Sequence, residues 1–371
     1  MMSARFLTVV LERAFNMRDG FGREIDYMRI SVIDSCNLNC YYCNPCDNNE
    51  HCHALNILSV KEVLCIVRAA TRLGIKHFRL TGGEPLLHPQ LDEMVLQIKK
   101  IPGVSSVSLT TNAVLLVQHA KWLKEAGIDS INVSLDTIDA SEYEHITKKP
   151  LFHKVEHGID AAIECGIRVK INVVLTPQTD VVALTRYVAK KGTDIRFIEM
   201  MPVGEGHTNG VEPYKKVIGT LSKLYGEPCR INTEKTKEIN SGNNKRKIPD
   251  NGPAEYYIFP ELGIRVGLIQ AIHGKFCDTC NRIRVTADGR LMPCLGSSVT
   301  MDLVPDSWDF ADDVEKDFAI VRALRAAIKA KPRCHNFNDN AVTYTKTTET
   351  KTTEIEAAEV NAARNMSRIG G

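Results

Sequence analysis

The chain has 371 residues, of which 43% are hydrophobic and 25% charged, an ordinary globular balance that excludes wholesale disorder. Lys and Arg number 47 against 45 Asp and Glu, so a chain-wide basic footprint for nucleic acid is absent. No apolar run approaches the roughly 18–20 residues of a membrane span.

The apolar stretch Phe6–Leu11 is too short for a secretory h-region, and Glu12 and Asp19 argue against a mitochondrial leader. With no export signal, the twelve cysteines predict a reducing, cytoplasmic setting, where grouped thiols serve as metal ligands or catalytic groups. From residue 26 to about 200, β-rich runs alternate with helical patterns. The predicted strands are Tyr27–Ile33, His77–Thr81, Val104–Thr110, Ser130–Leu135, Val169–Leu175 and Ile195–Met200. Between the first two, Ser59 and Glu62 form a capping-box pattern. Val63, Ile66, Val67, Ala70 and Leu73 repeat near 3.6, and Gly74 supplies the stop. Val155, Ile159, Ala162 and Ile163 mark another helical face. Six strand–helix units in series imply parallel strands. The pattern leaves an open, partial barrel and a doubly wound sheet both standing. Either puts the working residues beyond the carboxyl ends of the strands, so each motif is expected at or just after a strand end.

Past residue 230 the alternation fails. Glu234–Asp250 reads as a polar surface loop with a basic patch at Lys245, Arg246 and Lys247. Tyr256–Ile272 and Ile283–Leu295 read as strands, and Asp302–Lys331 as helix. Asn336–Ala362 is Thr/Glu-rich and reads as a flexible tether before the terminal Gly370-Gly371.

Three motifs carry chemistry. Cys36-x-x-x-Cys40-x-x-Cys43 follows the first strand. Three thiolates on one loop suit a [4Fe–4S] cluster whose fourth iron stays open; the alternative is a zinc site completed by Cys46, His51, Cys52 or His53. Thr81-Gly82-Gly83-Glu84-Pro85 ends the second strand, its glycines allowing close backbone approach and its glutamate able to accept from an ammonium group. Cys277-x-x-Cys280, with Cys294 further on, is a second triad, for which Cys334 or His273 could complete a zinc site. Arg282 and Arg284, two apart on an extended segment, face the same way and suit a phosphate-bearing ligand.

The first two motifs together resemble the radical S-adenosylmethionine (SAM) superfamily. The third, with Cys-Asn-Arg-x-Arg and Asp288-Gly289, is similar to the GTP 3′,8-cyclases, which open molybdenum cofactor biosynthesis. Further matches are Gly22-Arg23, Tyr27–Ser31, Thr110-Thr111-Asn112, Asn132–Asp136, Arg196–Pro202, Gly252-Pro253-Ala254 and the final double glycine. The resemblance implies a partial (βα)6 barrel with a smaller C-terminal α+β region. It divides the chain into an extension at 1–25, the barrel at 26–230, a C-terminal domain at 231–335 and a tail at 336–371.

By matching position, the resemblance implies that Cys36, Cys40 and Cys43 hold a SAM-binding [4Fe–4S] cluster and that Cys277, Cys280 and Cys294 hold a second. Tyr42, Gly83, Ser134 and Met201 then contact SAM, while Arg29, Arg79, Thr110, Lys170, Arg282 and Arg284 line the GTP site. Five of those six residues are cationic, matching the roughly four negative charges of GTP. The implied chemistry is reductive cleavage of SAM to a 5′-deoxyadenosyl radical, hydrogen abstraction from the ribose C3′, and attack of C3′ on C8 of guanine. The implied partners are an external one-electron reductant and, downstream, cyclic pyranopterin monophosphate synthase, with room for a homodimer. The chain departs from the family pattern at Asn39, His77, His88 and Ala113, leaving fewer fixed charges for GTP.

Overall fold

The computed structural model describes residues 17–43, 56–203, 210–231, 239–241, 244–246, 252–297, 300–303, 313–335 and 337. The N-terminal apolar stretch, the Thr/Glu-rich tail and the final double glycine lie outside the described residues.

Six strands run parallel in chain order: β1 (Tyr27–Ser31), β2 (His77–Thr81), β3 (Ser106–Thr111), β4 (Ser130–Ser134), β5 (Val169–Leu175) and β6 (Asp194–Glu199). Both faces of these strands are largely buried, as covered parallel strands require. The helices α1 (Val60–Arg72), α2 (Leu91–Lys99), α3 (Leu116–Glu125), α4 (Ala140–Thr147), α5 (Phe152–Glu164) and α6 (Val181–Lys190) connect them. Helix α1 starts where the capping box places it: Ser59 Oγ accepts from the Glu62 N–H, and Glu62 Oε2 accepts from the Ser59 N–H. Its inner face buries Val63, Ile66, Val67 and Ala70, and α5 likewise buries Val155, Ile159 and Ala162.

After α7 (Gly219–Tyr225) the chain adds β7 (Cys229–Ile231), β8 (Ile239–Ser241), β9 (Asn244–Arg246), β10 (Glu255–Ile258), β11 (Arg265–Ile269), β12 (Arg282–Val285), β13 (Arg290–Met292) and β14 (Met301–Asp302), then α8 (Asp313–Lys329). Strand β11 joins β6 in parallel and β12 joins β1 in parallel, so the later strands extend both edges of the barrel sheet. The resulting order, β14-β13-β12-β1-β2-β3-β4-β5-β6-β11-β10-β7, makes twelve strands and does not close. The fold is a partial barrel.

Two readings change. The polar stretch 234–250 is not loop throughout: β8 and β9 pair antiparallel, and the intervening Gly-Asn is hairpin-type sequence. Among the described residues of 302–331 the helix runs from Asp313 to Lys329, while Asp302 ends β14 opposite Arg290.

The β6–β11 seam is fixed by a buried ion pair. Arg265 donates from Nε to Asp194 Oδ1 at 3.1 Å and from a second nitrogen to Oδ2. Burial alone raises a carboxyl, but the hydrogen bonds and charge of Arg265 outweigh it and hold Asp194 below its ordinary 3.8. A depressed carboxyl adds stability that is present above the unfolded value and lost as pH falls through the folded one. Arg265→Met is therefore expected to cost about 3–5 kcal/mol by stranding a buried charge. Adding Asp194→Asn should recover much of that loss and flatten the acid limb of the stability curve. Denaturant unfolding between pH 3 and 7 checks both, and an Arg265→Met chain as stable as wild type would contradict the account.

Candidate functional site

The interior of the barrel holds one cavity of about 350 Å³, and both cysteine triads line it. They reach it from opposite ends. Cys36, Cys40 and Cys43 follow β1 and sit at the carboxyl mouth. Cys277 and Cys280 precede β12, which runs parallel to β1, and Cys294 follows the antiparallel β13, so the second triad sits at the amino mouth. The expectation that each motif sits at or just after a strand's carboxyl end fails for Cys277 and Cys280, whereas Cys294 follows the end of β13. A parallel strand added at the barrel edge is entered from the amino side.

All six thiols are free. Burial raises Cys36 to about 11, and burial, with Cys43, Asp136 and Cys36 nearby, raises Cys40 further. Burial also opposes the Cys280 thiolate, but the positive charges of Arg282 and Lys331 bring it down to about 7. Thiols that disfavour one another's ionisation share a space that a cationic metal centre neutralises. Among the described residues, no three Cys, His, Asp or Glu groups converge on a single-ion position. Of the alternative zinc ligands, Cys46, His51, Cys52 and His53 lie outside the described residues. The His273 Nδ1 is paired with Glu199, and Cys334 is exposed.

The Gly-Gly-Glu segment does a different job from the one its sequence suggests. A Cβ on Gly82 would lie 2.3 Å from Ile33 O, and one on Gly83 2.2 Å from Ser35 O, so the glycines let this turn press against the loop that leads into Cys36. Gly83 N–H donates to Ile33 O and Glu84 N–H to Ser35 O, both at 2.8 Å. The Glu84 carboxylate is spent inside the protein: it accepts from Thr111 Oγ1 at 2.7 Å, Asn112 N–H at 2.7 Å and Leu86 N–H at 3.0 Å. Burial pushes it up to about 7 despite those bonds. Asn112 in turn donates to Asn37 Oδ1 at 2.7 Å, tying the end of β3 to the cysteine loop.

Strand register explains the cationic middle of the cavity. Arg284, Arg29 and Arg79 are in register across β12, β1 and β2, and neighbouring strands lie about 4.8 Å apart. Arg282 is in register with Tyr27, whose hydroxyl accepts from Arg79 Nε. Arg79 also donates to Thr110 Oγ1 at 3.3 Å. Burial and then Arg284 push Arg29 well down; burial and then Arg282 bring Arg284 to about 10. Guanidiniums that repel one another along a cavity wall form a site for a polyanion.

Tyr42, Gly83, Ser134 and Met201 line the cavity, as do Arg29, Arg79, Thr110, Arg282 and Arg284. Lys170 is outside its lining; it is 4% exposed on β5, in register with Asp194. Tyr42 donates to Asp136 Oδ2 at 2.6 Å, and Val174 N–H donates to Asp136 Oδ1 at 2.7 Å. Burial raises that carboxyl to about 6.

Sequence reasoning missed Arg196. It is in register with Asn172, donates to Asn172 Oδ1 at 3.0 Å and lines the cavity, with Nη2 buried and lacking a protein hydrogen-bond partner among the described residues. Gly267 makes room for it, since a Cβ there would lie 2.8 Å from Arg196 Cγ. The inward alternation of β6 was the available signal.

Residues 30–183 match the radical SAM superfamily, and residues 193–337 match the molybdenum cofactor synthesis C family. A protein named GTP 3′,8-cyclase from Clostridium perfringens (strain SM101 / Type A) is 35% identical over 324 residues, covering 86% of this chain and 95% of its own. One of the same name from Pelotomaculum thermopropionicum is 36% identical over 327 residues, covering 86% and 95%. Among solved structures, Streptococcus suis SuiB bound to precursor peptide SuiA superposes with a TM-score of 0.54 at 14% identity, over 81% of this chain and 67% of that one. Native anSMEcpe with bound AdoMet gives 0.50 at 18%, over 80% and 82%. At these identities the structural likeness concerns the fold alone.

Gly83→Ala tests the support of the first triad. Its Cβ meets backbone oxygen, so overpacking is expected to cost about 1–3 kcal/mol. Denaturant unfolding checks this; wild-type stability would refute the close-packing account.

Proposed function

The chain belongs to the GTP 3′,8-cyclase family of radical SAM enzymes, and from that premise we propose that its two cysteine triads flank one reaction chamber. The protein converts GTP to (8S)-3′,8-cyclo-7,8-dihydroguanosine 5′-triphosphate, the first step of molybdenum cofactor biosynthesis, using SAM and a [4Fe–4S] cluster. In our reading Cys36, Cys40 and Cys43 hold that cluster, and Cys277, Cys280 and Cys294 hold a second. What supports this is a single observation: both triads and the arginine row line the same cavity. We read 26–230 as the barrel unit and 231–335 as the unit bearing the second cluster.

When bound, the first cluster and SAM supply a 5′-deoxyadenosyl radical by one-electron cleavage. The protein's own residues position and shield. Tyr42, Gly83, Ser134 and Met201 surround SAM beside the first triad, and Arg196, steadied by Asn172, offers a guanidinium to an anionic group there. Arg29, Arg79, Arg282 and Arg284 take the triphosphate, with Thr110 beside them; Lys170 contributes to the barrel's buried charge balance near Asp194. Holding ribose between the two mouths makes the ring closure a positioning problem, which binding geometry solves. The barrel walls around the chamber limit the water that reaches a reactive carbon centre. An external one-electron reductant and a downstream cyclic pyranopterin monophosphate synthase complete the proposed setting.

Anaerobic incubation with SAM and dithionite is expected to release 5′-deoxyadenosine in a GTP-dependent way; GTP-independent release would count against the cyclase reading. Cys36→Ala should abolish that release while the second triad retains its iron, and complete loss of iron would contradict two independent clusters. Arg284→Ala should weaken GTP binding by about 1.5–3 kcal/mol. Equilibrium binding to the iron-loaded protein checks this, and unchanged affinity would remove Arg284 from the site.

A further inference from the structure

The second triad is carried by two separate loops, one before β12 and one after β13. A side chain from far along the sequence bridges them. Lys331, two residues beyond α8, is 2% exposed. Its ammonium donates to Arg282 O at 2.8 Å, where the first loop enters β12, and to Pro293 O at 2.8 Å on the second loop. Its positive charge also favours the Cys280 thiolate against burial. Two charge-assisted hydrogen bonds thus hold this buried ammonium between the two segments.

The same segment reaches the other cysteines. The His335 backbone favours the Cys277 thiolate against burial, and the His335 ring bonds Ala271 O at 2.8 Å. Arg23 anchors the segment from outside. It donates to Cys277 O at 2.6 Å, Pro332 O at 2.6 Å and Arg333 O at 2.9 Å, and it pairs with Asp19 at 2.6 Å. Arg23 thus fixes the segment's position, while Lys331 alone contacts both cysteine loops through one charged group.

We propose that Lys331 is a positioning residue of the second cluster, setting the spacing of its two cysteine loops and laying a positive charge against the Cys280 sulfur. The inference rests on the reading that Cys277, Cys280 and Cys294 hold a cluster. A thiolate-ligated cluster becomes more negative on reduction, so a contacting ammonium stabilises the reduced form. Outer contacts of this kind govern both retention and electronic tuning of a metal centre.

The test uses the full chain carrying Cys36→Ala, Cys40→Ala and Cys43→Ala, in which iron reports on the second triad alone. With Lys331 intact, iron and sulfide should be retained anaerobically; none at all would sink the cluster reading itself. In that background Lys331→Met is expected to release iron to a chelator about 10–100-fold faster, and the surviving cluster should be reduced only at a more negative potential. Lys331→Gln, which keeps amide donors for the two carbonyls, should retain more iron than Lys331→Met yet show the same lowered potential. Unchanged release and potential in Lys331→Met would overturn the proposal. So would equal iron loss from the first triad in the reciprocal Cys277→Ala, Cys280→Ala, Cys294→Ala background, because Lys331 would then serve folding in general.

Discussion

Parallel pairing of β12 with β1 is the constraint on which the site depends. A parallel neighbour is entered from the same end as the strand it joins, so a loop before β12 and a loop after β1 lie at opposite mouths of the barrel. The two triads are thereby separated by about one strand length, roughly 13–17 Å for a strand of four or five residues. That interval leaves space for small molecules between the two sets of thiols. An antiparallel β12 would have brought both triads to one mouth, with nothing between them.

The same pairing creates an electrostatic cost. Register across β12, β1 and β2 sets Arg284, Arg29 and Arg79 side by side on the cavity wall, and burial together with the neighbouring like charges pushes Arg29 and Arg284 down. The protein tolerates this because Tyr27 and Thr110 accept from Arg79 and because an anionic ligand removes the repulsion. At the lower level of the barrel the charges balance instead: Asp194 meets Arg265, with Arg168 and Lys170 nearby. Selective placement of cations along the cavity wall, rather than net charge, therefore makes the anion site. A chain of formal charge +2 carries it.

What the sequence made legible is local. The six strands, the Ser59 capping box, both triads and the shared direction of Arg282 and Arg284 follow from periodicity and spacing within a few residues. What it hid is long-range. Arg23 meets Cys277 across 254 positions, and Lys331 meets Arg282 across 49. No local pattern distinguishes such a buried cation from a solvated one. Glu84 was misjudged for a related reason: a carboxylate after two glycines looks aimed at a ligand until Thr111 and Asn112 are found occupying it. Lys170 shared the inward alternation of its strand with cavity residues, but it sits a layer lower. Alternation gives the face of a strand and not the depth along it.

The departures at Asn39, His77, His88 and Ala113 can be weighed on the same geometry. None of the four lines the cavity. His88 is 3% exposed and fully engaged, accepting the Gln90 N–H at 3.1 Å and donating to Leu58 O at 2.9 Å. It is a packing residue that closes the turn after Gly-Gly-Glu. His77 bonds Ser106 at 2.8 Å at the start of β2, two residues before Arg79. The Asn39 N–H donates to Thr147 O at 3.0 Å, away from the thiols. Ala113 holds a left-handed φ of 65°, a conformation that costs a non-glycine residue about 1–2 kcal/mol. It is steadied by the Thr111 hydroxyl at 3.0 Å and by Gly158, whose missing Cβ would sit 2.3 Å from Ala113 O. These replacements alter turns and packing around the chamber, whereas the arginines and thiols inside it are intact. The expectation of fewer charges for the anion therefore does not extend to the residues that line the cavity.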